Sequence, residues 1–289
     1  MVTWLATERR PHPIYAGLSA IIITLCLIAA VPSCTGTLAA PVESLYRAQT
    51  TVTGQGEANR IIGFGLCLED VLIKISGAMQ LASDPRLADY KQEAAGFVSA
   101  HSYHDQMSGT PTRDEQGTRD RPYDLIVDFD EKKIDGLLNA VGLKPWLSHR
   151  PVLGLFVEMQ QETKKYIVTA DAKQSDLQRD SVLAAAAKRG MTVVLPSVAQ
   201  LAKSNIKDVE LERVPSVMLS SVTAEQGGEI SLVGRLVWSD QELGWATEWQ
   251  MHWQGRPHRW QSRGTTFDEA FRRGIGGAAR ILSGNGDPG

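Results

Sequence analysis

The sequence predicts a mixed α/β fold (α+β) built as two small mixed-sheet α/β units. Short runs of β-forming residues alternate with stretches whose apolar residues recur at helical spacing, and this alternation continues through both halves of the chain. Residues 152–195 show the strand, helix, strand order of a βαβ unit. Alternating strands and then an amphipathic helix follow them, which predicts a C-terminal antiparallel sheet covered by the last helix.

Residues 1–40 predict a secretory signal peptide. Two arginines precede an apolar run over residues 16–31, which is shorter than the roughly 20 residues that cross a bilayer as a helix. Small residues follow the run, so cleavage after Ala39 would release the mature chain into the periplasm. Two alternatives stay open. Cys34 ends a lipobox-like stretch, so it could instead become the lipidated first residue of the mature chain, or the segment could stay uncleaved. Either alternative predicts a membrane-anchored protein.

Residues 41–147 are predicted to form the first unit. Gly77 follows a helical pattern in the position of a C-terminal cap, and Asp130 precedes another as an N-cap. The turn-rich stretch 108–122 separates two β-forming segments, which predicts a hairpin with a mobile tip. The predicted elements are a strand over residues 45–53, helices over 60–76 and 84–98, hairpin strands around 103 and over 123–129, and a helix over 130–142.

Residues 148–284 are predicted to form the second unit, after a proline-bounded linker at 145–151, and 285–289 a disordered tail. Capping boxes at Ser175-x-x-Gln178 and Thr266-x-x-Glu269 predict the starts of the βαβ helix and of the last helix. The predicted strands cover residues 152–157, 191–195, 229–238 and 245–253, with one more around 260. Three glycines predict a close approach of the last helix to the sheet, namely Gly274, Gly276 and Gly277.

Several short motifs carry a family resemblance: Leu45-Tyr46-x-Ala48, Arg60, Val71-Leu72-x-Lys74-x-Ser76-Gly77, Phe129-Asp130, Trp146, Arg150-Pro151, Arg189-Gly190 and Leu195-Pro196. With them, residues 43–260 resemble the bacterial domain-of-unknown-function 2066 family, whose members are exported proteins without an established activity. The matching residues are scaffold residues. The resemblance therefore implies export and supplies no catalytic residues.

Charge and cysteine content argue against nucleic-acid binding and against an intramolecular disulfide in the body of the protein. A formal net charge of -3 without a basic stripe gives no field that would draw the protein to nucleic acid. Cys67 is the only cysteine of the body that follows the predicted signal segment of residues 1–40, so an intramolecular disulfide is excluded there. Its place in an apolar helical pattern predicts a buried, unreactive thiol. No motif requires a cofactor.

His101-x-x-His104-Asp105 is one candidate metal or hydrolytic site. In a helix the two imidazoles would share a face, whereas in a strand they point to opposite sides and are solvated. Because the segment lies where a helix gives way to a strand, surface histidines are the favoured interpretation.

Strictly alternating carboxylates are the second candidate, since Asp124, Asp128 and Asp130 fall on one face of a predicted strand. Alternate strand residues are about 6.8 Å apart, which is wide for two carboxylates to chelate one ion. The favoured interpretation is a water-facing side with Asp130 as a helix cap.

Tryptophans are concentrated near the C-terminus, where Trp245, Trp249 and Trp253 project from one face of a predicted strand. Such rings could stack on the sugars of envelope glycans or receive the apolar edge of a partner. The simpler interpretation is a sheet face covered by the last helix.

Together these patterns favour an exported bacterial envelope protein that acts as a non-catalytic binding or assembly factor for an envelope protein partner, without metal or cofactor. Membrane association is expected only through the N-terminal segment or a lipidated Cys34, and the sequence leaves the oligomeric state undetermined. Two other functions stay open. One is an envelope hydrolase or metal-dependent enzyme that uses the Asp and His residues, and the other is a glycan-binding module that uses the tryptophan face.

Overall fold

A computed structural model describes residues 45–109, 120–206 and 210–287, together with the backbone of residues 113–114 and 117–118. The predicted signal segment and Cys34 lie outside the described residues. The α-helices are α1 Glu57–Ser76, α2 Leu87–Gln92, α3 Glu131–Ala140, α4 Asp176–Ala187, α5 Val198–Lys203, α6 Ser216–Glu225 and α7 Phe267–Ser283. The strands are β1 Arg47–Thr53, β2 Val98–Asp105, β3 Arg113–Asp114, β4 Gly117–Thr118, β5 Pro122–Phe129, β6 Leu153–Gln161, β7 Lys164–Ile167, β8 Val193–Val194, β9 Ile230–Ser239, β10 Gly244–Trp253 and β11 Arg256–Gly264. The predicted α+β fold class is confirmed.

The N-terminal sheet has the order β1-β5-β2, and both strand pairs are antiparallel. Its apolar face packs against α1, which approaches closely because Gly63 has no side chain: a Cβ there would lie 2.5 Å from Leu125 Cδ2. The predicted caps are present, since Gly77 ends α1 with φ 70° and Asp130 accepts a hydrogen bond from the Lys133 amide at the start of α3. The pairing of β2 with β5 confirms the predicted hairpin, whose tip lies largely outside the described residues.

Two local predictions are wrong. The single helix predicted over residues 84–98 is short, because α2 ends at Gln92 and a 3₁₀ turn, Ala94–Phe97, follows it. The capping box predicted at Ser175 is absent, because its hydroxyl instead accepts a hydrogen bond from the Thr169 amide. A complete capping box occurs instead at α5, between Ser197 and Gln200.

The C-terminal sheet has the order β11-β10-β9-β6-β7, with β8 also paired to β6. β6 runs parallel to β8, which confirms the predicted parallel pair, and it runs parallel to β9 as well. β10 is antiparallel to both of its neighbours, β9 and β11, as predicted. This sheet is therefore mixed, and β6 is an interior strand whose two faces pack into different apolar clusters.

Helix α7 covers one face of the C-terminal sheet, as the sequence predicted. A Cβ at Gly274 would lie 2.1 Å from the Trp249 ring, and one at Gly277 would lie 2.4 Å from the Trp260 ring nitrogen. Gly276 instead faces Met79 of the N-terminal half. Thr266 caps the helix by accepting from the Glu269 amide, but the Glu269 carboxylate accepts from the Thr265 amide, so the predicted box forms only by half.

The opposite face of the C-terminal sheet is covered only in part. A second apolar cluster joins Phe156 and Val233 of the sheet to α5, α6 and the 3₁₀ turn Leu211–Arg213. These elements cover the β6 and β7 side. Among the described residues, no helix or strand covers the part of the same face formed by β9, β10 and β11.

The described residues all fall within one compact unit. Within it, Arg150 of the predicted linker is buried and donates hydrogen bonds to the carbonyls of Lys74, Trp146 and Arg189. Its guanidinium also lies 4.1 Å from the centre of the Trp146 ring. The boundary between residues 147 and 148 stays a prediction.

The chain is ordered at least as far as Asn285, which the sequence placed in a disordered tail. The Asn285 side chain donates to the carbonyls of Ser76 and Lys144, and its oxygen accepts from the Lys144 amide. Within the described residues, the helices lack the combination of length and apolar character that a bilayer crossing requires.

Candidate binding groove on the C-terminal sheet

The open face of β9, β10 and β11 carries a groove of about 740 Å³, hereafter the sheet groove. Its floor is formed by β6, β9, β10 and β11, and the 3₁₀ turn Leu211–Arg213 with Glu210 forms one wall. A shallower recess of about 430 Å³ continues the groove toward Val237, Ala246 and Arg263. Because strand pairing fixes which side chains are neighbours, the floor can be described as rows that run across the strands.

The first row alternates in charge across three strands and ends in an amide on the fourth. Glu158 of β6 is paired with Arg235 of β9, which is paired with Glu248 of β10, and Glu248 is paired with Gln261 of β11. The Gln261 amide donates to a Glu248 oxygen at 3.1 Å. Opposite charges directly across a strand pair stabilise the register, so this row also fixes the alignment of the sheet.

Glu158 is the buried member of the row, with 2% of its surface exposed. Its carboxylate lies 3.1 Å from the Lys165 ammonium and 3.4 Å from Arg235 Nε. The two cations compensate the buried carboxylate for its lost hydration. Removal of both cations would leave the carboxylate charged, buried and unpaired. Glu158 therefore anchors Arg235 in the floor of the groove.

Arg235 is shared among three carboxylates. Besides Glu158, its guanidinium lies 3.7 Å from Glu212 in the wall and 4.0 Å from Glu248 in the floor. The side chains of Glu212 and Glu248 are 52% and 54% exposed. Arg235 and Lys165 together supply two positive charges against these three carboxylates, and Lys165 is paired with the buried Glu158, so the exposed Glu212 and Glu248 present negative charge to a ligand.

The second row holds a cation that has no partner among the described residues. Val233 of β9 is paired with Gln250 of β10, which is paired with Arg259 of β11. Among the described residues, neither the exposed Arg259 guanidinium nor the Gln250 side-chain amide has a hydrogen-bond or ion-pair partner. Arg263, one row further in the opposite direction, is instead occupied by Glu242 at 2.8 Å. The β11 side of the groove thus offers an available guanidinium beside an amide.

The tryptophan face predicted from the sequence lies on the other side of this sheet. Trp249 is 1% exposed and Trp245 is 8% exposed, because α7 covers both rings, and Trp253 is half-buried against the same core. Trp249 stacks on Trp260 with 6.5 Å between ring centres. Of the two interpretations, the structure has the covered face, so Trp245 and Trp249 offer no stacking platform for a glycan.

The two candidate histidines point to opposite sides of β2, as expected for a strand. His101 lies edge-on to Phe64 of α1, with 5.2 Å between ring centres. His104 lies on the open side, where its Nδ1 is 3.7 Å from the Asp124 carboxylate. Asp105 forms an ion pair with Arg121 at 2.9 Å. Its carboxylate also accepts a hydrogen bond from the Met107 amide, which lowers the pKa of the Asp105 carboxyl. His101 and His104 therefore do not share a site.

The candidate carboxylates lie on the open face of the N-terminal sheet and at its edge. Asp124 accepts a hydrogen bond from Gln106 at 2.6 Å, which lowers the pKa of its carboxyl. Asp128 is paired with Arg47 at 2.5 Å, and Asp130 caps α3. A general acid requires a raised pKa, which Asp124 does not have.

Among residues 45–109, 120–206 and 210–287, no three His, Cys, Asp or Glu side chains form a group suited to a metal ion. Cys67 is fully buried, as predicted, and burial raises the pKa of its thiol to about 12. At that pKa the thiol is protonated at neutral pH and is a poor nucleophile.

Comparisons with known proteins give limited matches. A family model described as a domain of unknown function (DUF8605) matches residues 39–147, which is well under half of the chain. The chain is also similar to the LpoB C-terminal domain from Salmonella enterica, with 17% identity, a TM-score of 0.26, and coverage of 45% of this chain and 88% of that one. The search of curated proteins gave no match. The resemblance to the domain-of-unknown-function 2066 family stays a prediction.

The sheet groove was missed at the level of sequence, although its residues alternate with the tryptophans. Glu248 and Gln250 stand between Trp245, Trp249 and Met251 in the sequence, so their common face was implied. Which face is covered depends on where α7 packs. The wall at Glu210 comes from a separate segment, which no local pattern connects to β10.

Proposed function

We propose that this chain is an exported, non-catalytic binding protein of the bacterial cell envelope that holds a partner protein at the sheet groove. The observation that carries the proposal is the open face of β9, β10 and β11, where charged and amide side chains are held in register and line a groove of about 740 Å³. Antiparallel strands often leave one face in water, so the proposal rests on the ordered charges and the concave shape of this face, while α7 covers the opposite face. A half-covered face with ordered polar groups suits a second protein.

The chemistry of the groove favours recognition. Carboxylates, guanidiniums and side-chain amides form directional hydrogen bonds and ion pairs, which select a partner and set its register. Glu158, Lys165 and Arg235 fix one another, so the groove is preorganised before a partner arrives. The export part of the proposal rests on the N-terminal sequence pattern.

Cross-linking in cells tests the binding role. A photoreactive residue introduced at Gln261, in the groove, is expected to give a discrete adduct with one envelope protein. The matched control is the same substitution at Glu131, which is exposed on α3 in the N-terminal half and should give none. Equal adducts from both positions, or none from Gln261, would contradict the proposal.

The intact mass of the protein purified from its native cells tests export and processing. We expect a mature chain that begins at Ala40 without modification, because the small residues before it fit a signal-peptidase site. A mass for a chain that begins at a diacylated or triacylated Cys34 would instead place the protein on a membrane. A full-length mass would contradict cleavage altogether.

A further inference from the structure

The spacing of charges in the sheet groove suggests the form of the ligand. Glu248 and Arg259 stand in neighbouring rows of the β10 and β11 pair, since Glu248 is paired with Gln261 and Arg259 is two residues from Gln261. Successive rows along a strand are about 6.8 Å apart. Negative and positive subsites of the groove are therefore one row apart.

An extended peptide has the same repeat. Side chains at positions i and i+2 of an extended chain point to the same side and are also about 6.8 Å apart. A segment that lies along β10 and β11 would place one such side chain above Glu248 and the other above Arg259. Because Glu248 and Arg259 also stand on neighbouring strands, they are diagonal neighbours about 7–8 Å apart, a separation that long basic and acidic side chains at positions i and i+2 can span.

The charges of the groove select what these two side chains are. At the first row, Glu212 and Glu248 share Arg235 with the buried Glu158, so the exposed charge there is negative and suits a cation. At the second row, the available Arg259 guanidinium beside the Gln250 amide suits a carboxylate, which guanidinium binds in a bidentate manner. A ligand that is only anionic would be repelled by the first row, and one that is only cationic by the second.

We propose that the sheet groove binds an extended polypeptide segment that carries a basic and an acidic side chain two positions apart, the basic one at Glu212 and Glu248 and the acidic one at Arg259. The inference rests on the proposed binding function and specifies the chemistry of the partner. The segment lies along β10 and β11 and makes ion pairs at both rows.

Synthetic peptides test this inference on the full-length protein. The probes are nine-residue peptides of alternating Thr and Ser that carry Lys-x-Glu, Lys-x-Lys, Glu-x-Glu or adjacent Lys-Glu at the centre. Binding is followed by NMR titration of the side-chain amide signals, which detects affinities in the millimolar range. We expect Lys-x-Glu to bind about tenfold more tightly than the other three. Each of the others either places like charges together or loses one ion pair, and both changes weaken binding.

A charge reversal makes the test specific to the groove. In R259E the preference is expected to switch from Lys-x-Glu to Lys-x-Lys. The matched control is R256E, an exposed arginine of the same strand whose pairing with Trp253 places it on the opposite face, and it should keep the original preference. Both positions are exposed, so circular dichroism should show unchanged folding.

The outcomes separate this inference from the proposed function. Equal binding of the four peptides, no binding of any, or the same preference in R259E and in the unaltered protein would overturn the charge-pair inference. If the adduct at Gln261 still forms in cells, the binding function stands without it. If that adduct is also absent, both fail.

Discussion

Replacement of Arg150 by alanine is expected to lower the free energy of unfolding by about 3–5 kcal/mol. The guanidinium is the donor for three backbone carbonyls that come from α1, from the segment before β6 and from the end of α4. Each carbonyl left without a donor in a buried position costs about 1–3 kcal/mol. The lost hydrogen bonds lie where the N-terminal and C-terminal halves meet, so R150A should weaken the packing of one half on the other.

The cost of burying the Arg150 charge does not reverse this expectation. Burial lowers the pKa of Arg150 to about 10, which shows that the protein environment disfavours the charged form relative to water. The three hydrogen bonds are charge-assisted, at about 1.5–3 kcal/mol each, and the Trp146 ring adds a cation–π contact. Desolvation therefore offsets part of what these contacts contribute, and the loss expected in R150A comes chiefly from the buried carbonyls that are left without a donor.

Urea unfolding of R150A, followed by circular dichroism, measures the effect. R213A is the matched control, because the Arg213 side chain is 78% exposed in a surface ion pair, and it should change stability by less than about 1 kcal/mol. The stability of R150K should fall between that of R150A and that of the unaltered protein. A lysine ammonium lacks the planar fork of the guanidinium and cannot reach all three carbonyls. A loss in R150A as small as that in R213A would contradict the bridging role.

Arg150 also shows where reasoning from sequence stops. The two prolines at positions 145 and 151 predicted an extended connection, and residues 145–151 do lie between α3 and β6 outside any helix or strand. The partners of Arg150 are backbone carbonyls, which every residue has, so no sequence pattern can point to them. The same reason explains Asn285, whose side-chain amide donates to the carbonyls of Ser76 and Lys144.

Periodicity predicted the elements well wherever one face was buried. The strand pattern of β10 and the helical pattern of α7 were clear, because each buries one apolar face against the other. Local capping patterns were less reliable, since the Ser175 hydroxyl has a competing donor in the Thr169 amide. The helix predicted over residues 84–98 failed because apolar spacing continued past the point where the chain changes to a 3₁₀ turn.

The sheet groove depended on contacts that are distant in sequence. The residues of its first row come from β6, β9, β10 and β11, and the wall comes from the segment before α6. The order of these strands follows from the parallel pairing of β6 with β9, which the sequence did not predict. A site of this kind becomes visible only when strand order is known.

Replacement of Gly274 by alanine is expected to destabilise the protein by about 1–3 kcal/mol through overpacking. A Cβ at this position would lie 2.1 Å from the Trp249 ring, which is buried between α7 and the sheet and cannot move without displacing Trp260. The helix would have to move away from the sheet, and the packing of the tryptophan face would loosen.

Gly136 provides the matched control, since it lies inside α3 and has nothing within 4 Å of an added Cβ. Alanine there should raise stability by about 0.5–1 kcal/mol, because alanine is the better helix former. The same gain in helix propensity applies to G274A, so the difference between the two variants isolates the contact with Trp249. Urea midpoints measure stability, and near-ultraviolet circular dichroism should change in G274A alone. If G274A were as stabilising as G136A, the close approach of α7 to the sheet would be refuted. The inference that α7 occupies this face and leaves the opposite face to a partner would fail with it.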